Sequence, residues 1–251
     1  LVPGPGIVAS SPWIVFNEIR TMQEQPYLWV NQIGERFMDE SLSNNHMAIS
    51  MGIYNQPGRC SYLIFDEDTR KHMENEGVDY TYFIFPVKKL TNVKEQFRHL
   101  IEEAGNRHIF MADTIKELCE QTGIEESNLC RTLDIYNRYC EIGHDLDYAK
   151  DPEFLRPVRK GPFYALRVFC AGYDTIGGIR VNGKMQVIRE DGHAIKGLYA
   201  AGDNVLNELY GNPIIGGLGA AYFALPLGMA AGDSASDEIE KEEKRCGEKR
   251  P

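Results

Sequence analysis

Two glycine clusters near the carboxyl end could bring peptide amides against a ligand. Gly216-Gly217-Leu218-Gly219 is followed by an alanine-rich run that reads as a helix. Glycines at a helix start leave N–H groups free, with the positive end of the helix dipole behind them. Such a site suits an anion or the electron-rich edge of a ring. Upstream, the apolar strand Leu198-Tyr199-Ala200-Ala201 stops at Gly202-Asp203. A strand that ends in glycine lets a backbone approach a ligand closely, and the Asp203 carboxylate could accept from a sugar or polyol hydroxyl.

The elements that must hold these residues belong to an ordinary globular chain. Its 251 residues allow one large domain or two small ones, and 43% of them are hydrophobic. The balance of 27 basic against 37 acidic residues argues against nucleic acid and anionic membrane surfaces as partners. No apolar run is long enough to span a bilayer, and the LVPGPGIVASS start lacks the features of a signal peptide. Cys60, Cys119, Cys130, Cys140, Cys170 and Cys246 show no metal-ligand spacing. No metal site is expected, and the cysteine usage favours a reducing compartment such as the cytoplasm.

Along the chain, Pro26 to Val30 reads as a strand, with a tight turn at Asn31-Gln32-Ile33-Gly34. Tyr62 to Phe65 reads as an apolar strand, and Asp66 caps a helix that Gly77 closes. Val93, Phe97, Leu100, Ile101 and Ala104 have helical spacing. A helix beginning at Met111 carries a capping box, Thr114 with Glu117, and stops at Gly123. Leu129, Leu133, Tyr136 and Cys140 mark one apolar face of a longer helix. Residues 137–166 read as a charged loop stiffened by Pro152, Pro157 and Pro162, and short strands follow from Val168 to Ile188. Pro226 should bend the last helix, and the tail after it is highly charged.

Three strings then point one way. Val30 to Glu40 fits V-N-x-x-G-x-R-F-x-[DN]-E, Thr175 to Val181 fits T-x-G-G-[IL]-x-[VI], and Gly197 to Asp203 fits G-L-Y-A-A-G-[ED]. In this order they resemble the flavoproteins of the fumarate reductase/succinate dehydrogenase type. The resemblance implies an α+β chain: a mixed capping domain, then the C-terminal strands and helix of a Rossmann-like FAD domain. No strand followed by G-x-G-x-x-G occurs, so the N-terminal βαβ that holds a pyrophosphate is expected to be missing. The expected domains are residues 1–162 as the substrate-capping domain, 163–240 as part of the FAD domain, and 241–251 as a disordered tail.

The resemblance implies FAD as cofactor, contacted by Gly202, Asp203, Gly216, Gly217, Leu218 and Gly219. The expectation is that FAD belongs to a full-length protein and is absent from this chain alone. Counted by short ungapped matching, the family's proton-donating arginine falls at Asn44 and its relay at Arg20 and Gln23. The family's histidine falls at Asp174, and its carboxylate-clamping arginine at Ile214. These departures make fumarate a poor substrate. Candidates that remain are Tyr210, Tyr173 and His46 for catalysis, and Thr175, Gly177 and Asn212 for substrate binding. A phenol can protonate an enolate or polarise a carbonyl. Arg36 reads as a structural ion-pair partner.

The expected function is hydride transfer between FAD and an activated C=C or CH–CH substrate, a small unsaturated molecule. The alternatives are an enone enzyme like a ketosteroid dehydrogenase, and a flavin-free binding or regulatory remnant. Self-association through the exposed edge of an incomplete sheet is a further expectation.

Overall fold

A computed structural model describes residues 2–5, 13–81, 86–103, 107–171, 178–202, 204–205 and 224–247. The chain divides into two compact units, Leu1–Ala171 and Gly172–Pro251.

The first unit is built on an antiparallel sheet. Its centre is β5 (Phe163–Ala171), which pairs along one edge with β3 (Cys60–Phe65) from Phe65↔Tyr164 to Cys60↔Phe169. The other edge of β5 is shared end to end. There β4 (Ile109–Ala112) covers Phe163 to Leu166, and β1 (Val2–Pro5) covers Val168 to Ala171. Beyond β3 lies β2 (Leu28–Asn31).

Side chains alternate across a strand, so consecutive residues feed opposite faces. Leu63, Phe65, Trp29, Tyr164 and Leu166 pack in one buried cluster with Ile19, Met22, Ile49, Ile53, Met73 and Phe97. Tyr62, Ile64, Leu28, Val30 and Ala165 pack in another with Leu118, Leu129, Leu133 and Tyr136. The first cluster brings in α1 (Trp13–Met22), α2 (His46–Tyr54), α3 (Glu67–Asn75) and α4 (Val93–Arg98). The second brings in α5 (Ile115–Thr122) and α6 (Glu126–Ile142). Helices thus flank both faces, and β3 is buried along its whole length.

Local chemistry sets the helix ends. The Asp66 carboxylate accepts from Thr69 N at 3.0 Å and caps α3. Thr114 and Glu117 form the expected capping box of α5, and Gly123 and Gly143 end α5 and α6 with φ of 76° and 66°. The helix expected from Met111 begins only at Ile115, because Met111 and Ala112 are the end of β4, opposite Tyr164 and Phe163. The spacing from Val93 gives α4 and then a π-helical turn, His99–Glu103.

The compact unit and the last helix end at places other than the expected domain limits. The first unit runs to Ala171 rather than 162, because β5 pairs with β1, β3 and β4. The tail is helical through residue 247.

The second unit contains a hairpin of β6 (Gln186–Ile188) and β7 (Ala194–Tyr199), then α7 (Ala224–Gly247). Pro226 sits two residues into the described part of α7, which continues unbroken to Gly247. Charge pairs one turn apart line its distal half, Asp237 with Lys241 at 4.0 Å and Glu240 with Lys244 at 3.8 Å. Such pairs support a helix that composition alone reads as a frayed tail.

Candidate functional site

In the second unit, β7 hands over to a constrained turn. Ala200 N donates to Met185 O at 3.0 Å, and Gly202 follows at φ +67°, with its carbonyl accepting from Val205 N at 3.1 Å. A Cβ at Gly202 would stand 3.5 Å from the Ala224 Cβ, an ordinary contact, so it is the left-handed backbone that requires glycine. Gly178, the second glycine of the T-x-G-G string, meets a tighter limit. A Cβ there would lie 2.8 Å from Asn204 O, and Ile179 N donates to that same oxygen at 2.7 Å. The strings around Gly178 and Gly202 are therefore neighbours in space. Gly178 was not among the expected site residues, although a glycine pair bounded by short strands is a signal of close backbone approach.

Of the other expected residues, Asp203, Tyr210, Tyr173, Thr175, Gly177, Asn212, Gly216, Gly217, Leu218 and Gly219 lie outside the described residues, as do Asp174 and Ile214. His46 opens α2, whose first turn is capped by Asn45 accepting from Ala48 N at 3.2 Å.

In the first unit, the end of α1 presents a buried polar face. Arg20, Gln23 and Glu24 are spaced by three and four and share one side of the helix. They are 9%, 4% and 5% exposed. Arg20 Nη2 and Glu24 Oε1 form an ion pair at 3.1 Å. Ser43 Oγ donates to Glu24 O at 2.6 Å and clasps the loop that carries Asn44 to the end of α1. Gln23 differs from both charged neighbours, because neither its Nε2 nor its Oε1 has a hydrogen-bond partner. The resemblance assigned Arg20 and Gln23 to one relay. The structure places them on one buried face, and adds Glu24, whose i,i+4 spacing from Arg20 was visible in the sequence.

A second polar cluster carries charge deeper inside. Arg36 Nε and Nη2 donate to Glu40 Oε1 and Oε2 at 2.8 and 2.7 Å, while Nη1 and Nη2 donate to Asp145 Oδ1 and Oδ2 at 3.0 and 2.7 Å. Its guanidinium stands 5.1 Å from the centres of both the Tyr136 and Tyr148 rings. Lys150 Nζ donates to Tyr27 O at 3.1 Å and Tyr136 Oη at 2.9 Å, and lies 3.6 Å from Glu40 Oε2. Burial pushes the Asp145 carboxyl up, but the hydrogen bonds and charge of Arg36 outweigh it and hold its pKa at about 2. Burial lowers the Lys150 ammonium, opposed by the nearby Glu40 charge. Burial also raises the Tyr136 phenol well above its ordinary value.

Two cations and two carboxylates cancel, and every Arg36 donor group is committed. A surface groove of about 350 Å³ beside Arg36 is lined also by Glu35, Arg131 and Tyr148, but Arg131 is itself paired with Glu35 at 3.1 Å. This cluster is a strut rather than a site, as expected for Arg36. Its partners Asp145 and Lys150 were missed, because they sit in what read as a charged loop. Among the described residues no group of histidine, cysteine and carboxylate side chains could hold a metal ion, and no helix is long and apolar enough to cross a membrane.

A sheet covered by helices on both faces, in a chain that also carries a glycine-shaped strand end, is a mixed helix-and-sheet architecture. The family model described as "FAD binding domain" matches residues 14–213, and the chain belongs to that family, the flavoproteins of the fumarate reductase/succinate dehydrogenase type. Among its relatives, the vinyl phenol reductase of Lactiplantibacillus plantarum is 31% identical over 72% of this chain and 36% of its own length. The 3-oxosteroid 1-dehydrogenase of Mycolicibacterium smegmatis is 30% identical over 91% of this chain and 41% of its own. A flavocytochrome c3 fumarate reductase in its open conformation superposes with a TM-score of 0.60, at 25% identity, over 84% of this chain and 32% of that one. The chain thus spans roughly a third to two fifths of these relatives.

Proposed function

We propose that the chain is part of a flavin-dependent oxidoreductase acting on an activated C=C or CH–CH bond. The observation that carries this reading is the family match across residues 14–213, which runs through both compact units. In this reading the first unit is the substrate-capping body, and the second is the closing part of a Rossmann-like FAD domain.

Gly202 fits the cofactor in kind, since its left-handed turn follows β7 within the string that the resemblance assigns to a cofactor contact. Asp203 would accept from a ribityl hydroxyl, and the amides of Gly216 to Gly219 would face the ring. When bound, FAD supplies the hydride-transferring centre. Tyr210 Oη would give a proton to the substrate carbon on which negative charge develops, with Tyr173 or His46 as the other candidates. Thr175, Gly177 and Asn212 would hold the substrate. Because the 251 residues contain no strand followed by G-x-G-x-x-G, we propose that this chain alone binds FAD weakly.

A neutral activated alkene is favoured over a dicarboxylate. Ile214 and Asn44 stand where the resemblance places cations, and the Arg20 charge is matched by Glu24. The test is anaerobic reoxidation of reduced flavin in the protein isolated from its own cells, with enones, α,β-unsaturated carboxamides and enoates as oxidants. Tyr210→Phe should slow the neutral substrates at least tenfold, in line with loss of a general acid. Reoxidation at the uncatalysed rate with every class would count against the oxidoreductase reading, and isolation of the protein without flavin would favour the flavin-free one.

A further inference from the structure

The Gln23 carboxamide is 96% buried by its 4% exposure, yet neither of its polar atoms is bonded. Native proteins seldom leave both ends of a buried amide unsatisfied, because the desolvation of each is uncompensated. Its neighbours on α1 do not relieve it, since Arg20 and Glu24 are matched with one another at 3.1 Å. From this we infer that Gln23 is a ligand-recognition residue whose partner is a neutral group that donates and accepts together, a carboxamide or a hydroxyl.

The argument rests on complementarity. A glutamine side chain offers two N–H donors and one carbonyl acceptor. A carboxylate would satisfy Nε2 but set its own negative oxygens against Oε1. A ketone or ester would satisfy Nε2 and leave Oε1 orphaned. An amide or hydroxyl can do both at once, and a site built to hydrogen-bond such a group rejects analogues that lack it. The inference deepens the proposed function by naming the polar group of its substrate, and it rests on that reading only for the statement that the ligand is turned over.

Three probes of one skeleton separate the possibilities: cinnamamide, methyl cinnamate and cinnamate. Dissociation constants are measured on the full chain by calorimetric titration, without flavin, for the native residue and for Gln23→Met. With Gln23, cinnamamide should bind about tenfold or more tighter than the ester, and tighter still than the carboxylate. In Gln23→Met that preference should collapse to within about twofold, and the melting temperature of the empty chain should rise, because a desolvated amide has been replaced by a thioether of similar length. Equal binding of the three probes by the native chain would overturn the inference, and so would no binding at all. A fall in melting temperature with the preference unchanged would show Gln23 to be structural and would likewise overturn it. A chain that prefers the amide but never reoxidises flavin would refute the oxidoreductase reading alone and leave this one standing.

Discussion

Replacing Arg36 by methionine tests whether the buried charge cluster holds the first unit together. The guanidinium makes four contacts of 2.7–3.0 Å to Glu40 and Asp145, which are 0% and 1% exposed. Without it, Lys150 at 3.6 Å from Glu40 is the one cation left in the cluster, against two carboxylates. Removing one partner of a buried ion pair costs about 3–5 kcal/mol, because the remaining charge is uncompensated. With a urea slope of about 2 kcal/mol/M, the midpoint should fall by about 1.5–2.5 M. Trp29 is a suitable fluorescence reporter: it is 1% exposed and its backbone N–H points at Glu40 Oε1 at 3.5 Å. The double variant Arg36→Met/Asp145→Asn removes one charge of each sign, so it should be more stable than the sum of the single losses predicts, by about 1–3 kcal/mol. A midpoint shift under about 0.5 M, or strict additivity, would refute the reasoning.

Asp145 also sets a pH dependence. Its pKa is lowered from 3.8 to about 2, so the stability it contributes is present above about pH 4 and is lost as pH falls towards 2. The advantage of the native chain over Asp145→Asn in urea midpoint should therefore shrink across that window, and an advantage that grows on acidification would contradict the ion-pair assignment. At the strand end, Gly202→Ala should cost about 1–2 kcal/mol, from the backbone at φ +67° and not from a clash. Gly178→Ala should cost more, since its Cβ would meet Asn204 O at 2.8 Å; equal losses in a thermal melt would reject this ranking.

Legibility in the sequence followed the range of the interactions. The capping box at Thr114 and Glu117 and the glycine stops at Gly123 and Gly143 depend on neighbours within a turn, and they were readable. The apolar run of β3 was readable as a strand, because burial on both faces leaves no polar alternation. Met111-Ala112 was misread as the start of a helix, since a short apolar pair carries no period of its own. The boundary at 162 followed the family resemblance, whereas β5 is recruited into the first unit by strands about 100 to about 170 positions away in the chain. The Arg36–Asp145 contact spans 109 positions, and no local pattern announces it.

The site divides in the same way. Gly202 could be read from its strand, and the structure gives the reason for glycine there. Arg20 and Gln23 were reached only through the family resemblance. Their burial, and the unbonded amide of Gln23, come from how α1 packs, which a pattern of residue types does not encode.

The most direct test of the proposed activity is the anaerobic reoxidation of reduced flavin bound to the protein isolated from its own cells. The account predicts that the visible flavin band returns on adding a neutral activated alkene, faster than with a matched carboxylate, and that the saturated product accumulates in equal amount. A protein that carries no flavin, or one whose reduced flavin is left unchanged by every activated alkene offered, would contradict it.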